Sequence, residues 1–293
     1  MSRWTLEDAY GMASVFSDKT VELVRCEIPT GKTAVGKFIY PELGTFDAKA
    51  PRPQRLQQLA DLITRKENGQ FARTIANRIF GRLFGRAIVE PVDEMENAPW
   101  HPELLDYLGS YLSDNAYDLK KLMALLMTSK AYQLQPGNTK NDKSYIFRGP
   151  LVRRLTAEQY LDNVYALLSI PRRAWKEKAT PLTESLGRPD RNNVATTRES
   201  ESTTLQALEL INGPDLQKLI YVDGLQQINA LLIETKKSKP EFLARLYLQA
   251  LGRKPAASEI HALESIWLGQ ITPETAADMV WAVIMLPEFQ LIR

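Results

Sequence analysis

The sequence predicts a mainly α-helical protein: an irregular multi-helix bundle with long loops and at most a small N-terminal strand pair. From Arg55 onward, apolar residues recur at three- and four-residue spacing in segment after segment, the period of a helix that buries one face. Many of these runs are followed by Gly or Pro, which ends a helix because Gly accepts the left-handed cap and Pro cannot continue the hydrogen-bond ladder. One stretch, Thr20 to Pro53, departs from the pattern: VELVRCEI is followed by Gly31, Gly36, Pro41, Gly44, Pro51 and Pro53, which reads as one or two short strands and a long loop.

In chain order, TLEDAYGMASVFS opens a short helix, with Thr5 as N-cap and Asp8 three positions on, the spacing of a capping box. Phe71, Ile75, Ile79 and Leu83 then fall four apart with Phe80 and Phe84 beside them, and that helix is expected to stop at Gly85. Leu104, Leu105 and Leu108 mark the next after Pro102. Leu119, Leu122, Met123 and Leu126 mark another, capped by Asn115 or Asp118. The short link between these two makes them an expected antiparallel pair. Leu161, Val164, Tyr165 and Leu168 give a helix stopping before Pro171. TLQALELING, FLARLYLQALG with Gly252 as cap, ASEIHALESIWLG, and a last helix turning Ala277, Val280, Trp281 and Ile284 inward complete the chain. No fixed-period repeat is visible.

The organisation expected is 1–52, a helix with an irregular short-strand segment; 53–134, a helical subdomain; and 135–293, a second helical subdomain packed as one unit with the first. The polar, turn-rich QPGNTKNDKSY marks the seam. With 44% hydrophobic and 25% charged residues, the chain has the make-up of a folded globular protein. Its 37 basic and 35 acidic residues leave a net charge of +2, too small a field to gather nucleic acid. No apolar run approaches the roughly 20 residues of a membrane span. Cys26 is a lone cysteine, so neither an internal disulfide nor a cysteine zinc site is expected. The sequence points to no metal and no cofactor.

Three groups of residues could carry chemistry. Arg78, Arg82 and Arg86 recur four apart, so Arg78 and Arg82 are candidates for gripping an anion; a salt-bridged helix face is the other reading. IVEPVDEMENAPWHPELLD follows at once and concentrates acids, which makes Glu90, Asp93 and His101 candidates for acid–base work. Those acids could equally pair with the preceding arginines and favour the helix that opens near Pro102. Either way, the arginines and acids flank a helix end at Gly85, so a charge network across it is expected. In the irregular SLGRPDRNNVATTRES, Arg188, Asp190, Arg191 and Arg198 could gather around an anion at the next helix start, or Asp190 could pair with an arginine while Thr203 or Thr204 caps the helix. The two histidines, His101 and His261, have no zinc-ligand spacing, and the glycine signatures of hydrolase elbows, P-loops and dinucleotide folds do not occur.

Several blocks carry a resemblance in order: NGQFARTIANRIFGRLFGRAIVEPVDEM, HPELLDYL, DLKKLMALLMTSKAYQL, VRRLTAEQYLDNVYAL, GRPDRNN with TTLQALELING, and FLARLYLQALGRKPAASEI with LPEFQLI. Together they resemble the bacterial domain-of-unknown-function family number 1553, found in planctomycetes and verrucomicrobia, from about Trp4 to Arg293. Arg73, Asn77 and Arg78, the prolines and acids of VEPVDEM, and the His101-Pro102 pair fall at matching positions. The stretch between Arg154 and Arg188 is shorter than in many members. The resemblance implies a context rather than a reaction: large exported proteins, outside the cytoplasm, with a second domain and often a cytochrome c-like module upstream. This chain, which carries neither that module's haem motif nor an export leader, would then be the C-terminal part of such a protein or a shortened relative. Other protein domains are the implied partners. A polysaccharide is a further one, because members are often encoded near sulfatase-like proteins. Two functions are expected from this: a non-catalytic interaction or scaffold module, or a hydrolase or carbohydrate-active enzyme with a carboxylate pair between Glu90 and Asp106.

Overall fold

The computed structural model describes residues 4–137, 145–190, 198, 203–266 and 269–292. It divides into two compact units, one of Met1–Leu134 with Asp142–Gly149, the other of Gln135–Asn141 with Pro150–Arg293. Helices dominate both, and among the described residues each holds one small antiparallel strand pair.

The first unit opens with α1 (Leu6–Ala13), where Thr5 and Asp8 form the expected capping box. Strands β1 (Glu22–Arg25) and β2 (Ile28–Thr33) pair antiparallel, with Arg25 opposite Ile28. The two-residue link is Cys26–Glu27, both at positive φ, the backbone that matches strand twist in a tight hairpin. The loop leading to α2 (Arg52–Thr64) is fastened by Arg55, which donates to the carbonyls of Val15, Ser17 and Ala50. Beneath it, Val15, Phe38, Phe46, Leu59 and Leu62 form a small core.

The main core of this unit lies between α3 (Gly69–Phe84), α4 (Pro102–Asp114) and α5 (Leu119–Met127). Phe80 lies 6.1 Å from Trp100, just before α4, while Phe71 lies 5.4 Å from Tyr117, just past its end. Helices α3 and α4 therefore run antiparallel, and α4 takes α3 rather than α5 as its principal partner. Helix α5 packs on both, as the short link before it leads one to expect for α4. The loop of residues 85–101 is long, yet side chains of α3 fold it back and deliver α4 onto the same helix. The face α3 buries also differs from the one expected. Ala72, Ala76, Asn77, Phe80 and Phe84 are buried, whereas Ile75, Ile79 and Leu83 border the core. The small alanines let α4 approach, and Gly109 completes the contact, since a Cβ there would sit 3.0 Å from Cγ of Arg73. Gly85 adopts φ +82 and ends α3 with its N–H on the Gly81 carbonyl, a backbone shape that costs other residues about 1 kcal/mol or more. Asp118 caps α5 through the amides of Lys120 and Lys121.

In the second unit, β3 (Arg153–Arg154) leads into α6 (Ala157–Leu167), which starts on a capping box of Thr156 and Gln159. Next come α7 (Pro181–Ser185), α8 (Thr204–Asn212) capped by Thr203, and α9 (Pro214–Lys218). A π-helical turn, Leu219–Asp223, joins α9 to α10 (Leu225–Glu234). Helices α11 (Lys239–Leu251), α12 (Ala257–Ile266), α13 (Pro273–Ile284) and α14 (Pro287–Gln290) follow, and β4 (Leu291–Ile292) returns to pair with β3. Periodicity could not announce this second strand pair, because its two-residue strands are joined only by tertiary contact. Ala277, Val280 and Ile284 are buried as expected, while Trp281 stays half-buried and donates its indole N–H to the Leu210 carbonyl.

Arg253, just past the end of α11, ties that end to α12 and to α14. Its guanidinium donates to both oxygens of Glu259 on α12 and both of Glu288 on α14, at 2.7 to 3.1 Å. The Arg253 hydrogen bonds are the chief cause that holds the Glu259 carboxyl well below its ordinary value, at about 2. Because the folded value lies below the unfolded one, the stabilisation is present above about pH 4.5 and fades as pH falls toward 2. An acid titration followed by circular dichroism should show Arg253→Met less stable than the parent at pH 7. The difference should narrow below about pH 4. A gap that stays constant down to pH 2.5 would refute the assignment.

Candidate functional site

The residues with most chemical potential in the first unit meet at the reversal between α3 and α4, and Asn77 organises it. An asparagine inside a helix gives up propensity, and this one is fully buried. Its Nδ2 donates to the carbonyls of Val89 and Val92 at 3.0 and 2.9 Å. Its Oδ1 accepts from the amides of Ile88 and Val89 at 2.8 and 2.9 Å. One amide group thus stands in for a strand partner, satisfying four backbone groups of a loop that has no ladder.

Around this hub the acids are distributed one by one. Glu90 accepts the amide of Ala87 at 2.7 Å, and the Glu90–Pro91 peptide is cis. Asp93 receives Arg78 Nε at 2.6 Å. Glu94 accepts from Asn97, whose Nδ2 also donates to the Glu90 carbonyl, and Glu96 is engaged as well. Trp100 returns the chain, its indole donating to Ala87 and its amide to Ile88. His101 caps α4 by accepting the Leu104 amide at 3.2 Å, with Glu103 at 3.3 Å from the same nitrogen. Asp106 lies 3.2 Å from Arg73 Nε.

The arginine row goes to three destinations. Arg78 reaches Asp93, Arg82 is exposed with no ion pair among the described residues, and Arg86 lies over the Tyr145 ring at 4.1 Å. Of the charge network expected across Gly85, the Arg78–Asp93 pair forms, while Glu90 turns to a backbone amide. The Arg78 side chain is 54% exposed, and such pairs contribute only about 0–1 kcal/mol. Arg78→Ala and Asp93→Asn should each unfold within about 1 kcal/mol of the parent in urea. A larger loss would mean the pair is more deeply coupled than its exposure indicates. A groove of about 220 Å³ opens beside the start of α3, lined among others by Lys66, Gly69, Arg73, Asp106, Ser110 and Ser113.

In the second unit, Glu158 in the first turn of α6 gathers two of the expected arginines. Arg198 donates to it, and Arg188 Nε lies 3.8 Å away while its other nitrogens hold the carbonyls of Ala174 and Glu177. Burial pushes the Glu158 carboxyl up, but the hydrogen bond from Arg198 and the charges of both arginines outweigh it and hold the group below its ordinary value. Asp190 is engaged too, and Arg191 lies outside the described residues. The sequence reading did not single out Glu158 as the point of convergence, nor Gln206, which is 2% exposed and takes Arg154 Nη1 on its Oε1. A polar residue on the buried face of an apolar helix was the available signal for both Gln206 and Asn77. Among the described residues, no group of three or more His, Cys, Asp and Glu side chains is placed to hold a metal. No described helix is long and apolar enough to cross a membrane.

Compared with known families, residues 54–173 and 167–267 match the profile described as "Protein of unknown function (DUF1553)". The chain belongs to this family. The two matched stretches meet inside the segment between Arg154 and Arg188 and together take in both the Asn77 hub and the Glu158 cluster. No curated protein and no solved structure matches the chain.

Proposed function

We propose that this member of the family is a non-catalytic interaction module of a large multi-domain protein that works outside the cytoplasm. The observation that carries the proposal is the assignment of most acids between Glu90 and Asp106 to partners within the fold: a backbone amide, Arg78, Asn97 and Arg73. Side chains so committed build a rigid loop. Apolar residues left outward on two helices, Leu119, Met123 and Met127 on α5 and Leu205, Leu208 and Ile211 on α8, support the same reading, because exposed apolar patches mark interaction surfaces. The resemblance supplies the setting: a planctomycete-type surface protein in which electron transfer belongs to a cytochrome c-like module upstream.

Cross-linking in intact cells of the native host, followed by fractionation and mass spectrometry, tests it. The expected result is an envelope fraction in which this domain is linked to other protein domains, and the links persist in Glu90→Gln and Asp93→Asn. Hydrolysis of a polysaccharide by the purified protein, abolished by Glu90→Gln with unchanged melting, would overturn it in favour of a carboxylate-pair hydrolase.

A further inference from the structure

Helix α5 buries Leu122 and Leu126 and leaves Leu119, Met123 and Met127 outward, 45%, 40% and 45% exposed. These three lie four apart, so they form a continuous ridge along the helix. By helical geometry the ridge covers an arc of roughly 80°, with the core on one side and Lys120, Ala124 and Lys121 on the other. Lys120, Lys121 and Lys130 are all exposed. The segment from Leu119 to Lys130 contains no acid, and the cap Asp118 is turned onto the helix's own amides. The surface is therefore a narrow apolar seam with a positive edge and no internal counter-charge.

From this geometry we infer that α5 docks an amphipathic helix of a partner protein domain, one whose apolar stripe lies along Leu119, Met123 and Met127 and whose acidic edge meets Lys120. The inference rests on the interaction-module reading and names the partner's chemistry. Two methionines suit the role because their flexible thioethers adapt to an incoming surface. Charge complementarity selects the acidic edge and suppresses basic partners. A narrow seam matches the spacing of helix against helix. A membrane-surface helix instead needs a broad apolar face, which α5, with half its circumference in the core, does not offer.

The test uses fluorescence anisotropy of the full chain with a labelled helical peptide of about 14 residues, leucines on one stripe and glutamates flanking them. Controls are the same peptide with lysines for the glutamates, and vesicles of phosphatidylcholine with phosphatidylglycerol. The glutamate peptide should bind saturably, the lysine peptide should not, and added salt should weaken the complex. Met123→Glu combined with Met127→Glu should weaken binding at least about tenfold while melting stays at the parent value, and Lys120→Glu should weaken it severalfold. Equal binding of both peptides, no saturable binding, a silent double variant, or capture by vesicles alone would each overturn the inference. Cross-links to partner domains in the native host that survive the double variant would remove this surface yet leave the module reading standing. Absence of any such cross-link would remove the module reading itself.

Discussion

Asn77→Ala is expected to destabilise the first unit by roughly 3–6 kcal/mol, because it leaves two buried amides, one buried carbonyl and one part-buried carbonyl of the loop without partners at about 1–3 kcal/mol each, part of which water entry recovers. The melting temperature of that unit should fall by about 10 °C or more. The loss comes from satisfaction of the backbone, since an alanine fits the space and keeps the helix. Hydrogen exchange gives the sharpest reading. The amides of Ile88 and Val89, which donate to Asn77 Oδ1, should lose protection first. Asn77→Asp separates the two halves of the role. It keeps both acceptor contacts, loses the donors to Val89 and Val92, and places a charge where no solvent reaches, so it should rescue little. Asn77→Ala unfolding within about 1 kcal/mol of the parent would mean the loop is held by its apolar contacts instead.

Phe242→Ala should cost the second unit about 3–5 kcal/mol, the usual penalty for emptying a buried phenylalanine site. Phe242 is 0% exposed on α11 and lies in the same core as Leu243, Leu246 and Tyr247 of its own helix and Val280 and Ile284 of α13. A hole at that position strips contacts from several elements at once, and close-packed neighbours relax into it only in part. Urea unfolding of the variant should show a lower midpoint with an unchanged slope. Phe242→Leu should recover more than half of the loss, because most of the volume returns. Leu248→Ala on the same helix provides the contrast. Leu248 is 49% exposed, and its removal should cost no more than about 0.5 kcal/mol. Equal losses at positions 242 and 248 would refute the placement of this core.

Helix ends were legible in the sequence because capping is local chemistry. Thr5 with Asp8, Asp118, Thr203, Gly85 and Gly252 each act within a turn of themselves, so the residues that satisfy the end groups are neighbours in the chain. The tight hairpin could be placed only coarsely, because its positive-φ residues are Cys26 and Glu27 and neither is a usual turn signal. In the candidate site, local order put Arg78 within reach of Asp93 and His101 at the start of α4, and the sequence carried both facts. It could not show that Arg82 and Arg86 would part company from Arg78, since a row of like side chains on one helix edge is steered by whatever packs nearby.

What the sequence by itself determined is the helical class, several helix ends and the family, all of which depend on periodicity and on residues in order along the chain. Only the tertiary structure decided which helix α4 packs against, that β4 returns to β3, that Arg253 joins Glu259 to Glu288, and that Asn77 supports the loop. The reason is physical. Each of these is a contact between groups far apart in sequence, and its free energy comes from burying one polar or apolar group against another that the local pattern does not name. Asn77 shows the difference best. Read locally it is a poor helix former, and buried beside residues 88–92 it becomes the hydrogen-bonding surface on which the loop is built.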